Sequence, residues 1–202
     1  NNIPHKTTYM ERLAINVLYL HIMAKGLYFK KKFKNKCYEF SVMASSNLII
    51  KASVAKEAGY FDENYYPGED AVLSFSVLNK GYKILYCSKV IVYHHRRPLF
   101  WKHLKKMKES AECTSKVLTK FTNHRSLIHF LPTIFSTMLF VSIVLSVFNP
   151  FILTALATLM TIYFSILILD CIISGIYNPL SIILVTLGAF LTHIFYGYGF
   201  VK

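Results

Sequence analysis

Apolar positions divide this chain into two unlike parts. From residue 127 onward they run almost unbroken: Leu127–Phe148 and Leu180–Phe200 carry no formal charge, and Phe151–Ile173 carries only Asp170. Asn149-Pro150 and Ser174–Pro179 are the interruptions. About 20 apolar residues span a bilayer core. Three such runs in series with short breaks argue against the core helix of a soluble protein. The pattern therefore predicts a membrane domain, residues 126–202, with transmembrane helices at 127–148, 151–173 and 180–200. A carboxylate inside a span is a functional candidate by default, but Asp170 lies near a span end and is read as reaching the interface. His129 and His193 are read as interfacial or packed.

Before residue 126 polar and apolar positions alternate in short blocks. Phe100–Phe121 places Leu104, Met107, Ala111, Val117, Leu118 and Phe121 near one helical face, with lysines over much of the rest. Residues 99–125 are thus expected to form a basic amphipathic helix in the headgroup plane. In residues 1–98, Ser46–Ile50 ("SNLII") reads as a strand. Ala52–Ala58 reads as a helix stopped by Gly59, and Ala71–Asn79 as a second helix. Tyr82–Tyr86 and Lys89–Tyr93 read as strands rich in Val, Ile and Tyr. That order predicts a mixed α/β layer.

Charge sharpens the division. The 202 residues carry a net charge of +13 with only 10 acidic side chains, and beyond Arg125 only Asp170 and Lys202 are charged. Arg96, Arg97, Lys102, Lys105, Lys106, Lys108, Lys116, Lys120 and Arg125 all precede the first span, which places that flank in the cytoplasm by the positive-inside rule. Beside a membrane segment these cations fit lipid headgroups, and nucleic acid is not an expected partner. The four cysteines (Cys37, Cys87, Cys113, Cys171) form no C-x-x-C pair, so no zinc knuckle or disulfide framework is expected and all four are read as reduced. The chain begins Asn1-Asn2-Ile3-Pro4, with no initiator Met and no signal-peptide pattern, and reads as a piece of a longer protein.

The chemistry concentrates in two short stretches. Tyr65–Asp70, "YYPGED", puts two carboxylates behind a Pro-Gly turn at the predicted start of a helix. Free N–H groups there favour anions, so capping accounts for one acid and leaves the other free to face a cleft. His94–Arg97, "HHRR", follows the last predicted strand. It is either a positive flank facing the membrane or a phosphate site, since guanidinium groups pair well with phosphate oxygens.

From Ala44 to about Lys106 these elements resemble the C-terminal half of a family-2 glycosyltransferase catalytic domain of GT-A fold. The likeness rests on "SSNLII", "GYFDEN", "YYPGED", "GYKILY" and "VIVYHHRR" in that order, and extends more loosely over the spans to "THIFYGYGF". It implies a partial Rossmann-like nucleotide-diphospho-sugar transferase fold, first half missing, followed by an all-α transmembrane segment. Asp70 would be the general base, with Glu69 supporting it. Asn47, Tyr66 and Gly68 would border the acceptor, Arg96 and Arg97 would meet the diphosphate, and His94 would be a metal ligand. A divalent metal, Mg or Mn, is implied as cofactor, although the Asp-x-Asp metal motif is absent from this chain. Met10–Phe33 would run under the acceptor site. A Gln-x-x-Arg-Trp motif is also absent, which argues against processive synthesis. The implied partners are a nucleotide-sugar donor, a lipid-linked or glycan acceptor and membrane lipids. The implied place is the plasma membrane of a prokaryote, with the catalytic part cytoplasmic. The alternative is a non-catalytic truncated membrane module or scaffold derived from such an enzyme.

Overall fold

The computed structural model describes residues 6–20, 37–87, 89–90, 92–120 and 129–201. Among them, seven α-helices and two short strands follow the order α1 (Tyr9–Tyr19), β1 (Cys37–Phe40), α2 (Ala52–Ala58), α3 (Glu69–Asn79), β2 (Ile84–Cys87), α4 (Trp101–Lys120), α5 (Leu131–Ser146), α6 (Pro150–Ile173) and α7 (Pro179–Val201).

The expected α/β layer is not what forms. The described residues hold one antiparallel ladder, β1 against β2, with Cys37 opposite Cys87 and Phe40 opposite Ile84, and no parallel Rossmann-like sheet. "SNLII" begins as a 3-10 turn at Ser45–Asn47, and Leu48 continues extended at φ −111°, ψ 128° without a ladder. The described residues of Lys89–Tyr93 are likewise not a strand. Strand propensity is the fit of side chains to a pleated, half-buried surface. An extended run with no paired neighbour stays a loop, however rich in Val and Ile it is.

The ladder also corrects the reading of the cysteines. Register places Cys37 directly across from Cys87, and the two are joined by a disulfide. Cys113 and Cys171 are free and buried.

Helix signals were stronger. Ala52–Ala58 ends where expected because Gly59 adopts φ 89°, a left-handed conformation that costs glycine nothing. α6 and α7, with 24 and 23 residues, are long and apolar enough to cross a membrane. α5 has 16 described residues, about 24 Å of helix, shorter than a bilayer core. Residues 127–128 of the expected first span, residues 121–125 of the expected basic helix and residues 21–33 of the Met10–Phe33 segment lie outside the described residues.

Two cores hold the acidic turn and the basic segment in place. The larger joins α1 to the apolar helices: Leu13, Ala14, Val17 and Leu20 pack with Leu99, Leu167, Cys171, Val185 and Ala189. The smaller joins α3 to α4 through Val72, Cys113 and Val117. α4 lies along the C-terminal half of α7 and runs in the same direction: His103 meets Thr192, the Lys108 carbonyl abuts Gly199, and Leu118 and Phe200 wall one cavity. A Cβ at Gly188, Gly197 or Gly199 would run into Leu99, Pro132 or Lys108 respectively, so the small residues of α7 set how closely its neighbours approach.

Candidate functional site

The acidic turn is built on α4. Gly68 is the N-cap of α3 and Glu69 and Asp70 are its first two residues. Asp62 accepts from the Asn64 backbone N–H at 3.1 Å and shapes the preceding turn. The Tyr66–Pro67 peptide is cis. Cys113 Sγ donates to the Tyr65 carbonyl at 2.9 Å, and a Cβ added at Gly68 would strike that same sulfur. Glycine is therefore required here by close approach; its φ of −144° suits any residue.

The two carboxylates are held differently. Asp70 Oδ1 accepts from the Ala71 N–H at 2.8 Å and Oδ2 from the Ser45 N–H at 3.3 Å, so two backbone donors fix the orientation of the carboxylate. Behind it, Ser74 Oγ donates to the Asp70 carbonyl at 2.7 Å and accepts from the Met43 N–H at 3.2 Å. Glu69 Oε2 is buried with no hydrogen-bond partner among the described residues. The side chain at the N-cap position is a glycine's, so neither acid is an N-cap. Both sit instead in the first turn, at the positive end of the helix.

The basic segment is docked on α1. Glu11 Oε1 lies 3.2 Å from His95 Nδ1, and the Leu99 N–H donates to the Met10 carbonyl at 3.0 Å. Glu11 also accepts from the Thr8 N–H at 2.7 Å in a capping box, which holds its carboxyl below the usual range, with the neighbouring His95 adding to the shift. His94 is pushed below the usual imidazole range, first by burial and then by the charges of Arg96 and Arg97. Together with Leu18, His103 and Lys106, these residues line a cavity of about 310 Å³.

Lys106 connects the two stretches. Its Nζ stands 5.3 Å over the Tyr66 ring, and burial and then Arg97 push the ammonium below its usual range against the opposing charges of Glu109, Glu69 and Asp70. Sequence reading placed Lys106 among lipid-facing lysines and did not single it out. Glu11 was missed as well, although Thr8-x-x-Glu11 ahead of an apolar run is a legible capping box. Asn47 does not join the group: its Nδ2 donates to the Val90 carbonyl at 3.3 Å, tying two loops together. A second cavity, about 330 Å³ among Leu118, Phe130, Thr133 and Phe200, carries no charged group.

The implied metal does not fit these donors. No three His, Cys, Asp or Glu side chains converge among the described residues. His94 offers one nitrogen beside two arginines whose charge repels a cation. What the site can do chemically therefore lies with its own side chains.

Comparison with known proteins gives the class. The model of the glycosyl transferase family group 2 matches residues 3–192, nearly the whole chain. The chain belongs to that family and is a glycosyltransferase. No curated protein and no solved structure matches it.

Proposed function

We propose that this glycosyltransferase moves a sugar from a nucleotide-sugar donor to a lipid-linked or glycan acceptor at a membrane, with inversion at the anomeric carbon. The observation that carries this reading is that a carboxylate turn and an arginine-lined cavity both abut one helix, α4, with Cys113 holding the turn and Lys106 bordering the cavity, while α4 packs on α7. Asp70 takes the proton of the acceptor hydroxyl as its oxygen bonds to the anomeric carbon. The bond from that carbon to the diphosphate oxygen breaks on the opposite face, and single displacement inverts the centre. The carboxylate of Glu69 orients the base. Tyr66, exposed beside the turn, and the Gly68 backbone border the acceptor, and Asn47 supports the acceptor side from further out, through the loop it ties to Val90. Arg96 and Arg97 meet the charge growing on the departing diphosphate, with a neutral His94 as hydrogen-bond partner.

The arginines are tested by a substitution that keeps charge. Lysine is a point charge without the planar fork. Arg96→Lys with Arg97→Lys is expected to lower turnover of labelled donor at least about tenfold, roughly 1.4 kcal/mol of barrier, with membrane fractionation unchanged. Full activity would leave the pair as a lipid-facing flank only.

The Lys/Arg bias before the spans favours a cytoplasmic site, where nucleotide-sugar donors would be met. The Cys37–Cys87 bridge pulls the other way, because disulfides persist mainly in oxidising compartments. Labelling decides between them. Cys113 and Cys171 are buried and Cys37 and Cys87 are bridged, so a cysteine at exposed Lys102 is the reporter. Lys102→Cys is expected to resist an impermeant thiol reagent in intact cells and to react after lysis. Labelling of intact cells would reverse the orientation.

A further inference from the structure

Lysines on α4 differ in what they face. Lys105 and Lys108 lie 4.0 and 3.5 Å from Glu109 and Glu112, each one turn on. Four residues on from Lys106 is Ser110, and Glu109, three residues on, acts on its ammonium without forming an ion pair. Among the described residues no carboxylate forms an ion pair with Lys106: its ammonium stands over the Tyr66 ring, with Glu109, Glu69 and Asp70 acting on it from beyond ion-pair distance. It also lines the 310 Å³ cavity with Arg96 and Arg97. Three cations thus border one void, and no anion stands among its lining residues. The void is several times the roughly 30 Å³ that a water occupies in the liquid.

We propose that Lys106 is a third phosphate-binding residue of this site, closing the Arg96–Arg97 cavity on the side of the acidic turn and holding the phosphate of a phosphorylated substrate. The proposal rests on the reading of Arg96 and Arg97 as diphosphate-binding residues and deepens it. A cation held over an aromatic face is kept charged and placed while its anion is away, and it is released towards a stronger, charge-assisted partner when phosphate arrives. Burial and the nearby Arg97 charge push the Lys106 ammonium below its usual range. An anion set between these cations removes that penalty. Lys106 would also set phosphate close to Tyr66 and hence to Asp70, which is where a sugar phosphate must lie if the base is to act.

The test uses the full chain in detergent and inorganic pyrophosphate as the probe, by titration calorimetry. Lys106→Gln is expected to weaken binding at least about tenfold, and Lys106→Arg to restore it to within about threefold, in line with the worth of one charged hydrogen bond. Lys105→Gln removes the same charge one residue away, outside the cavity, and is expected to change binding less than about twofold. Unchanged binding in Lys106→Gln, or an equal loss in Lys105→Gln, overturns the proposal. If the double lysine variant at Arg96 and Arg97 loses pyrophosphate while Lys106→Gln keeps it, the proposal fails and the arginine reading stands. If the unaltered protein binds no pyrophosphate, both fail. Thermal melting of each variant separates misfolding from lost binding, and a Lys106→Gln variant that melts with the parent yet loses the probe supports the assignment. Two further arms identify the source of the phosphate. Loss of response to a nucleoside diphosphate in solution assigns it to the donor. Loss confined to phosphatidylcholine vesicles carrying a polyprenyl phosphate assigns it to the acceptor. Loss in neither arm overturns the proposal.

Discussion

Asp70→Asn is expected to lower sugar transfer by about 10²- to 10⁴-fold, the usual contribution of a general base, while donor affinity stays within about twofold. Asparagine keeps the shape of the side chain, and its Oδ1 still accepts from the Ala71 N–H. The contact it loses is the 3.3 Å one from the exposed Ser45 N–H, a weak bond whose loss costs at most about 1 kcal/mol. A fall of several orders of magnitude in turnover with a melting temperature shifted by only a few degrees would therefore report chemistry and not unfolding. Rates with labelled donor and donor binding on the same preparation are the two measurements. Near-normal turnover would sink the assignment of the base. Glu69→Gln serves as the internal comparison: it is expected to cost clearly less than Asp70→Asn, and the opposite ranking would exchange the two roles.

The second large effect is expected at Gly68, which has no side chain to take part in the chemistry. A methyl group there meets Cys113 Sγ and the Tyr65 carbonyl. Both belong to the seat that aims the turn, so Gly68→Ala must push the start of α3 off α4. Overpacking of this kind costs about 1–3 kcal/mol of stability, and a displacement of about 1 Å at a reacting group can cost on the order of 10²-fold in rate. Turnover is expected to fall on that scale while the protein remains folded. The partner substitution makes the cause identifiable. Cys113→Ala removes the obstructing sulfur together with its hydrogen bond to Tyr65, at a cost of about 1–2 kcal/mol alone. Gly68→Ala combined with Cys113→Ala should nevertheless transfer sugar at least about tenfold faster than Gly68→Ala, a non-additivity expected only of residues in contact. An additive double variant, or a Gly68→Ala protein with full activity, would show that the fit of this turn against α4 does not aim the base.

The fold was legible wherever the signal is local. α2 could be placed to the residue because Gly59 carries the left-handed turn in its own chemistry. The acidic turn reads as the start of a helix because Pro67 and Gly68 precede an apolar run, although α3 begins at Glu69, two residues before the predicted start. The Thr8–Glu11 capping box of α1 was equally local, and failing to read it left the anchor of the basic segment unseen. The sheet was not legible. Tyr82–Tyr86 overlaps a true strand because Cys37–Phe40 pairs with Ile84–Cys87, while "SNLII", with equally good strand formers, has no ladder among the described residues. Whether an extended run becomes a strand is decided by a neighbour that can lie 50 residues away, as Cys37 does from Cys87. The same long-range register makes the disulfide, so cysteine spacing had no means of announcing it.

Sequence alone determined the apolar C-terminal helices, the family resemblance, and the two stretches where acidic and basic side chains cluster. Each depends on residue type at short spacing: unbroken apolar length, ordered motifs, adjacent charges. Only the tertiary structure decided which of these meet. α4 carries one face with a helical period and many lysines that are equivalent in the sequence; packing against α3 and α7 turns Lys106 toward Tyr66 and the arginine cavity and leaves Lys105 paired along its own helix. Docking of Glu11 on His95 joins positions 84 residues apart in the chain, and seating of Gly68 against Cys113 joins the start of α3 to the middle of α4. Such contacts depend on how helices bury surface against one another, and no window of the sequence contains both partners.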